Sequence, residues 1–155
     1  MHRLTVIMPV YNEFQNLGER LSEVSEYCRE KGCRLILVDD GSTDGSGAIV
    51  NNFHTLEHVT VLRHKLNKGY GAALKTGLQG CQTEYAVTFD ADGQHYTGDI
   101  ERLFQVIISA DADLVVGSRK DQLKASFFRG MGKRFIRNLA RILMTVPVHD
   151  LNSGM

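Results

Sequence analysis

An excess of charge of either sign is missing from this chain. Its 18 basic residues are matched by 18 acidic ones, so no net field draws it to nucleic acid or to an anionic membrane surface. Long hydrophobic runs are missing too. No stretch approaches the roughly 20 apolar residues that cross a bilayer, and the N-terminus enters an apolar, strand-like segment without the pattern of a secretory signal. The chain as it stands is expected to be soluble and cytoplasmic. Cysteine is scarce: Cys28, Cys33 and Cys81 lack metal-ligand spacing and leave one thiol over. That usage fits a reducing compartment and places the three on helix faces or in the core. Repeats, low-complexity tracts and linkers are also lacking. What remains is one domain of 155 residues, 43% of them apolar, enough for a core.

That domain repeats one unit: apolar strand, turn with Gly or Asp, helix, next strand. Residues 4–8 read as the first buried strand, stopped by Pro9. Leu17, Leu21, Val24 and Cys28 fall at helical spacing through residues 15–30, with Gly32 as the stop. Residues 34–38 form the second strand, and Ser42, Thr43 and Asp44 are placed to cap a short helix through Ala48 and Phe53. A third strand at 59–62 precedes a helix that opens at 67–74 and reaches about Gln79. Residues 85–89 read as a fourth, buried strand, and Thr97 caps a helix whose inward face is Ile100, Phe104, Ile107 and Ile108. Residues 113–117 read as a fifth strand, 127–144 as a long basic helix, and 146–150 as extended. Alternation of this kind argues for βαβ units and a mainly parallel α/β sheet flanked by helices.

Polar residues then gather at one edge. Asp39, Asp40, Asp90, Asp92 and Arg119 all follow strand C-termini, where open α/β sheets bind their ligands. Asp90 and Asp92 stand one residue apart directly after an apolar strand. A short acidic clip of this type suits Mg²⁺, which takes one or two protein carboxylates and fills its other positions with water and phosphate oxygens. Acidic residues after strands also serve as turn and helix caps, so the pair alone does not decide between the two.

Six segments, taken together, resemble the family-2 glycosyltransferases of GT-A fold. They are Val6-Ile7-Met8-Pro9-Val10-Tyr11-Asn12-Glu13, Val38-Asp39-Asp40-Gly41-Ser42-Thr43-Asp44, Asn67-Lys68-Gly69-Tyr70-Gly71-Ala72-Ala73, Asp90-Ala91-Asp92-Gly93-Gln94-His95, Gly117-Ser118-Arg119 and Asp150-Leu151-Asn152-Ser153-Gly154. The resemblance spans the whole chain and is strongest to the branch whose acceptor is a polyprenyl or dolichyl phosphate. It implies a Rossmann-like nucleotide-sugar-binding domain, residues 1–155, as the N-terminal part of a longer, truncated catalytic unit. Pro9, Tyr11 and Glu13 would line the base and ribose pocket, with Tyr11 stacking on the base. Without the resemblance, Tyr11 would read as a buried aromatic at a strand end. Asp39 or Asp40 would accept the imide N–H of uracil or guanine, the other capping the turn. Gly69 and Gly71 would allow close backbone approach, with Lys68 meeting phosphate or lying in solvent. Asp92, Gln94 and Asp90 would hold Mg²⁺ or Mn²⁺, Asp90 also reaching ribose. His95 reads as a hydrogen-bonded structural residue, since imidazole is a poor ligand for Mg²⁺. Tyr96-Thr97 replaces the proline usual in the family after the position of His95, a departure that bears on the loop's rigidity alone.

The chemistry implied is inverting transfer of a sugar from a UDP- or GDP-sugar donor through an oxocarbenium-like transition state. Arg119 would bind the diphosphate through its planar fork. Asp150 would be the base for a hydroxyl acceptor, a positioning group for an anionic lipid phosphate, or a cap on the turn at 152–154. The basic residues and aromatics of 127–144 suit an anionic lipid phosphate at a membrane surface, or a core-facing helix with a solvated basic face. Membrane association, at the cytoplasmic face, is expected of the full-length protein. Because the chain stops at Met155, within the last motif, donor binding is expected to survive in part and transfer to be lost. Three competing readings stay open: transfer to a saccharide hydroxyl, a nucleotide-sugar-binding domain without catalysis, and a sugar-nucleotide pyrophosphorylase. The last would carry a Gly- and Arg-containing loop where Pro9-Val10-Tyr11-Asn12-Glu13 stands.

Overall fold

Two near-continuous apolar runs, Leu4–Val10 and Arg34–Asp39, pair in parallel as the central strands β1 and β2. Runs without polar alternation belong in a sheet covered on both faces, and every residue of β1 is buried. The computed structural model describes residues 1–91 and 96–117. Within them follow α1 (Leu17–Lys31), α2 (Ser46–Asn51) tightening into a 3-10 turn, β3 (Val59–Arg63), α3 (Tyr70–Gly80), β4 (Tyr85–Thr88) and α4 (Thr97–Ala110). All strand pairs are parallel, in the order β3-β2-β1-β4.

Side chains alternate between the two faces. Val6, Met8 and Val10, with Leu35 and Leu37, pack against Leu17, Leu21, Val24 and Cys28 of α1, Val50 of α2, and Ile100 and Phe104 of α4. Ile7, Ile36 and Val38 face Ala73 of α3. Helix α3 lies so close that a Cβ at Gly77 would stand 2.3 Å from the Ile7 Cγ2. Each buried Leu, Ile or Val contributes about 1.5–3 kcal/mol relative to exposure, so this double-sided core holds the strand ends that carry the polar edge.

Several boundaries differ from the sequence reading. Helix α1 stops at Gly32, as expected, in a left-handed conformation of φ 65°. Tyr96, not Thr97, occupies the N-cap of α4, and the Tyr96 side chain makes no capping hydrogen bond; Thr97 lies one residue inside, and Asp99 supplies the acidic group in the first turn. Of the expected inward face of α4, Ile108 is 41% exposed. Strand β4 is at one end of the described sheet, so its residues are half-buried or exposed where full burial was expected. Residues 113–117 form no strand among the described residues, with Leu114 and Val116 exposed. An apolar run becomes a strand only where a neighbour offers a ladder, and none of the described strands pairs with it. Cys28 and Cys33 are buried, Cys81 is half-buried, and all three are free thiols. Residues 127–144 and 146–150 lie outside the described residues.

Candidate functional site

The strand order fixes where a site can form. From β1 the chain runs outward through β2 to β3 and then returns to β4 on the other side of β1. The connections after β1 and β4 therefore diverge and open a crevice at their carboxyl ends. A cleft of about 310 Å³ lies there. Pro9, Val10, Tyr11 and Glu13 enter it from the end of β1, Asp40 from the end of β2, Tyr70 and Ala73 from α3, and Asp90 and Ala91 from the end of β4. Residues from four separate sequence motifs thus meet in one concavity. Tyr11 is 45% exposed rather than buried, leaving its ring accessible at the cleft.

The loop after β1 is held by the turn after β2. The Asn12 N–H donates to Ser42 Oγ at 3.1 Å, and the Thr43 N–H donates to Asn12 Oδ1 at 2.9 Å. The Glu13 N–H donates to Ser46 Oγ at 3.0 Å, and the Phe14 N–H to Asp44 Oδ2 at 3.0 Å. Asp44 also accepts the Ser46 N–H at 2.9 Å, at the start of α2. These bonds hold Asn12 in a left-handed conformation of φ 52°, one that Asn tolerates better than most residues.

Asp39 and Asp40 are both buried, at 1% and 2% exposure, and have separate tasks. Asp39 Oδ1 accepts the Ser42 N–H at 2.9 Å and so closes the turn after β2. Its Oδ2 lies 3.0 Å from Arg63 Nε in an ion pair, without an aligned hydrogen bond among the described residues. Asp40 lines the cleft. Its Oδ1 accepts the Lys68 N–H at 3.0 Å and its Oδ2 the Gly69 N–H at 2.8 Å. His64 Nδ1 stands 2.5 Å from Asp40 Oδ1. Burial pushes the Asp40 carboxyl up, but the His64 hydrogen bond and the two backbone N–H groups outweigh it and hold the group below the usual carboxylate range.

Glycine makes this arrangement possible at two positions. Gly41 has φ 73°, and a Cβ there would sit 2.6 Å from the Leu66 carbonyl carbon. The segment before α3 can therefore drape over the β2 turn and bring its N–H groups to Asp40. Gly69 has φ 90° and opens α3, a conformation that glycine adopts without strain. Lys68 contributes its backbone N–H, while its side chain is exposed.

On the far wall, Asp90 is half-buried and accepts the Tyr70 hydroxyl at 2.7 Å. The strand end that presents it is anchored by Phe89, wholly buried, whose N–H donates to the Ile7 carbonyl at 2.9 Å. The Arg20 guanidinium covers the Phe89 ring at 4.7 Å. No cluster of three His, Cys, Asp or Glu suited to a metal occurs among the described residues. A half-exposed carboxylate at a cleft rim fits the other kind of site, in which one or two carboxylates are completed by phosphate oxygens.

Of the expected site residues, the structure brings Pro9, Tyr11, Glu13, Asp40 and Asp90 together in the cleft, with Lys68 and Gly69 bound to Asp40 from behind. Asp39 lies beneath the adjoining turn, paired to Arg63. Asp92, Gln94, His95, Arg119 and Asp150 lie outside the described residues. Sequence reasoning missed His64, Tyr70 as a partner of Asp90, and the bracing role of Ser42 and Ser46. A signal for His64 exists: parallel register sets Asp39 beside Arg63, so the next residue of each strand, Asp40 and His64, must also be neighbours.

The chain is 32% identical over 163 residues to the polyprenol monophosphomannose synthase of Mycolicibacterium smegmatis, covering 98% of this chain and 60% of that one. It is 32% identical over 140 residues to the undecaprenyl-phosphate 4-deoxy-4-formamido-L-arabinose transferase of Proteus mirabilis, covering 88% and 42%. It thus spans about half the length of these relatives. Among solved structures, the mannosyltransferase PcManGT from Pyrobaculum calidifontis, in complex with GDP-Man and Mn²⁺, superimposes with a TM-score of 0.59 at 30% identity over 74% of this chain and 34% of that one. The fold is accordingly the GT-A fold expected from the sequence. The description "Glycosyl transferase family 2" matches residues 5–151, and with nearly the whole chain so matched, this protein belongs to glycosyl transferase family 2.

Proposed function

We propose that the cleft between the ends of β1 and β4 binds a UDP- or GDP-sugar, and that the full-length protein transfers the sugar, with inversion, to a polyprenyl phosphate. The observation that carries this reading is the meeting of Tyr11, Glu13, Asp40 and Asp90 in one cleft at the switch point of a parallel sheet. Tyr11 offers a face for the base, and Glu13 a carboxylate for ribose hydroxyls. Asp40, rather than Asp39, is the acceptor for an imide N–H, because Asp40 lines the cleft while Asp39 closes the turn beneath.

Asp90, with Asp92 and Gln94 from the adjoining motif, would hold Mg²⁺ or Mn²⁺ against the diphosphate. When bound, that ion stabilises the charge developing on the leaving group. Arg119 serves the same charge through two parallel N–H donors. Removing one such preorganised contact raises the barrier by about 3–4 kcal/mol, judged from oxyanion-hole donors. A lipid phosphate is already anionic near neutral pH and needs no general base, so Asp150 positions the acceptor. Support for the acceptor class comes from relatives named for polyprenyl-phosphate products, and for donor and metal from the neighbour holding GDP-Man and Mn²⁺. No helix among the described residues is long and apolar enough to cross a membrane. The basic, aromatic-bearing segment 127–144 is our proposed contact with the lipid headgroup.

Calorimetric titration with UDP and GDP, each with and without Mg²⁺ or Mn²⁺, tests the donor site. Metal-dependent binding of one nucleotide, abolished by Asp92→Ala, is expected; absence of binding to both would reject the site. Transfer to a polyprenyl phosphate by the full-length protein, with the product's anomeric configuration read by NMR, tests the reaction.

A further inference from the structure

Directly behind the cleft, one buried imidazole has both ring nitrogens engaged. His64 is 6% exposed. Its Nδ1 is 2.5 Å from Asp40 Oδ1, and its Nε2 is 2.8 Å from Thr76 Oγ1 on α3. A carboxylate only accepts, so Nδ1 carries a proton. In the neutral ring, Nε2 then accepts from the Thr76 hydroxyl. The imidazole is thus fixed from two sides, by the end of β2 and by the middle of α3.

Fixing the ring fixes the carboxylate. An ionised carboxylate has about four acceptor sites. The His64 Nδ1–H and the Lys68 N–H occupy Oδ1, and the Gly69 N–H occupies one site on Oδ2. Among the described residues one acceptor site remains, on Oδ2, in a residue that lines the cleft. Among the described residues, three donors thus hold the carboxylate in one orientation with a single acceptor site open, and the His64 and backbone hydrogen bonds outweigh burial and lower its pKa.

We propose that His64 is a positioning residue for nucleotide selection. It keeps the Asp40 carboxylate oriented so that the cleft takes a base presenting an N–H at that point and rejects one presenting a lone pair. Uracil and guanine offer the N–H; cytosine and adenine offer the lone pair. A base that placed a lone pair against this anion would leave both groups unpaired and repelling, a costlier mismatch than loss of a neutral contact. The inference rests on the reading that the cleft holds a nucleoside diphosphate.

The test is calorimetric titration of the full chain with UDP, GDP, CDP and ADP in Mn²⁺, on the wild type and on His64→Leu and His64→Asn. Wild type should bind UDP or GDP at least about tenfold tighter than CDP and ADP, the range expected for a hydrogen bond to a charged group. His64→Leu should lose about tenfold or more for the preferred nucleotide while CDP and ADP change little, so that the ratio collapses. His64→Asn, whose amide N–H can replace Nδ1–H, should restore the ratio. A ratio unchanged in His64→Leu, an equal loss for all four nucleotides, or failure of His64→Asn to restore selectivity would each overturn the inference while leaving the donor site intact. Wild type binding none of the four would overturn the donor reading and this inference with it. Should the Leu variant fail to fold, long-range ¹H–¹⁵N spectra of wild type decide: an Nδ1–H tautomer supports the assignment, and an Nε2–H tautomer overturns it.

Discussion

The carboxylates on the two walls of the cleft differ in whom they serve. Asp40 is buried and, among the described residues, has three protein donors on it: the His64 ring after β3 and two successive backbone N–H groups at the start of α3. Asp90 is half-buried just past the end of β4, with the Tyr70 hydroxyl among its partners. The first is part of the fold's own bonding and can receive one more donor. The second stands where a ligand's charge, metal or hydroxyl can reach it. A single cleft thus combines a buried carboxylate held by the protein's own donors with a half-buried one at its rim; under the proposed function the first would meet the base and the second the diphosphate.

Asp40→Ala should give the largest effect, since it leaves His64 and two backbone N–H groups without their acceptor. Breaking a buried charged network by removing one partner costs about 3–5 kcal/mol. Urea denaturation should show a loss of that size; a loss under about 1 kcal/mol would mean that the carboxylate is not part of the fold's framework. Acid should act more gently and through the same residue. A carboxyl that titrates lower in the folded than in the unfolded chain adds stability above the unfolded value of about 4, and that stability is lost as pH falls through about 4 and below. The urea midpoint of the wild type should therefore drop more steeply below about pH 4 than that of Asp40→Asn. Equal slopes would remove Asp40 from the account. The smallest stability change is expected for Asp90→Asn, within about 0.5–1 kcal/mol as for other positions away from the core. Its effect belongs to the ligand, as a tenfold or greater loss of metal-dependent nucleotide affinity by calorimetry. A variant that unfolded like Asp40→Ala would erase the distinction between the two walls.

Much of this was legible from the residues alone. The apolar runs at 4–8 and 34–38 read as strands because covering both faces of a sheet requires apolar side chains at successive positions; β1 in fact runs on through Pro9 to Val10, and β2 to Asp39. Gly32 stopped its helix because it takes a left-handed conformation at no steric cost. Thr97 misled because a capping residue is recognised only relative to the helix start, which shifted by one. Residues 113–117 misled because apolar composition cannot supply a strand's neighbour.

By itself, then, the sequence determined the strand-helix alternation, the buried faces of β1, β2 and α1, and the gathering of Asp39, Asp40 and Asp90 at one sheet edge. Those follow from periodicity and from where a strand ends, both of which are local. Only tertiary structure decided which of Asp39 and Asp40 faces the cleft, and that His64 and Thr76 stand behind it. Those choices depend on the order in which the strands pack and on how closely α3 approaches them. Contacts between residues 24 and 12 positions apart, as at Asp40–His64 and His64–Thr76, are set by the sheet rather than by any local pattern.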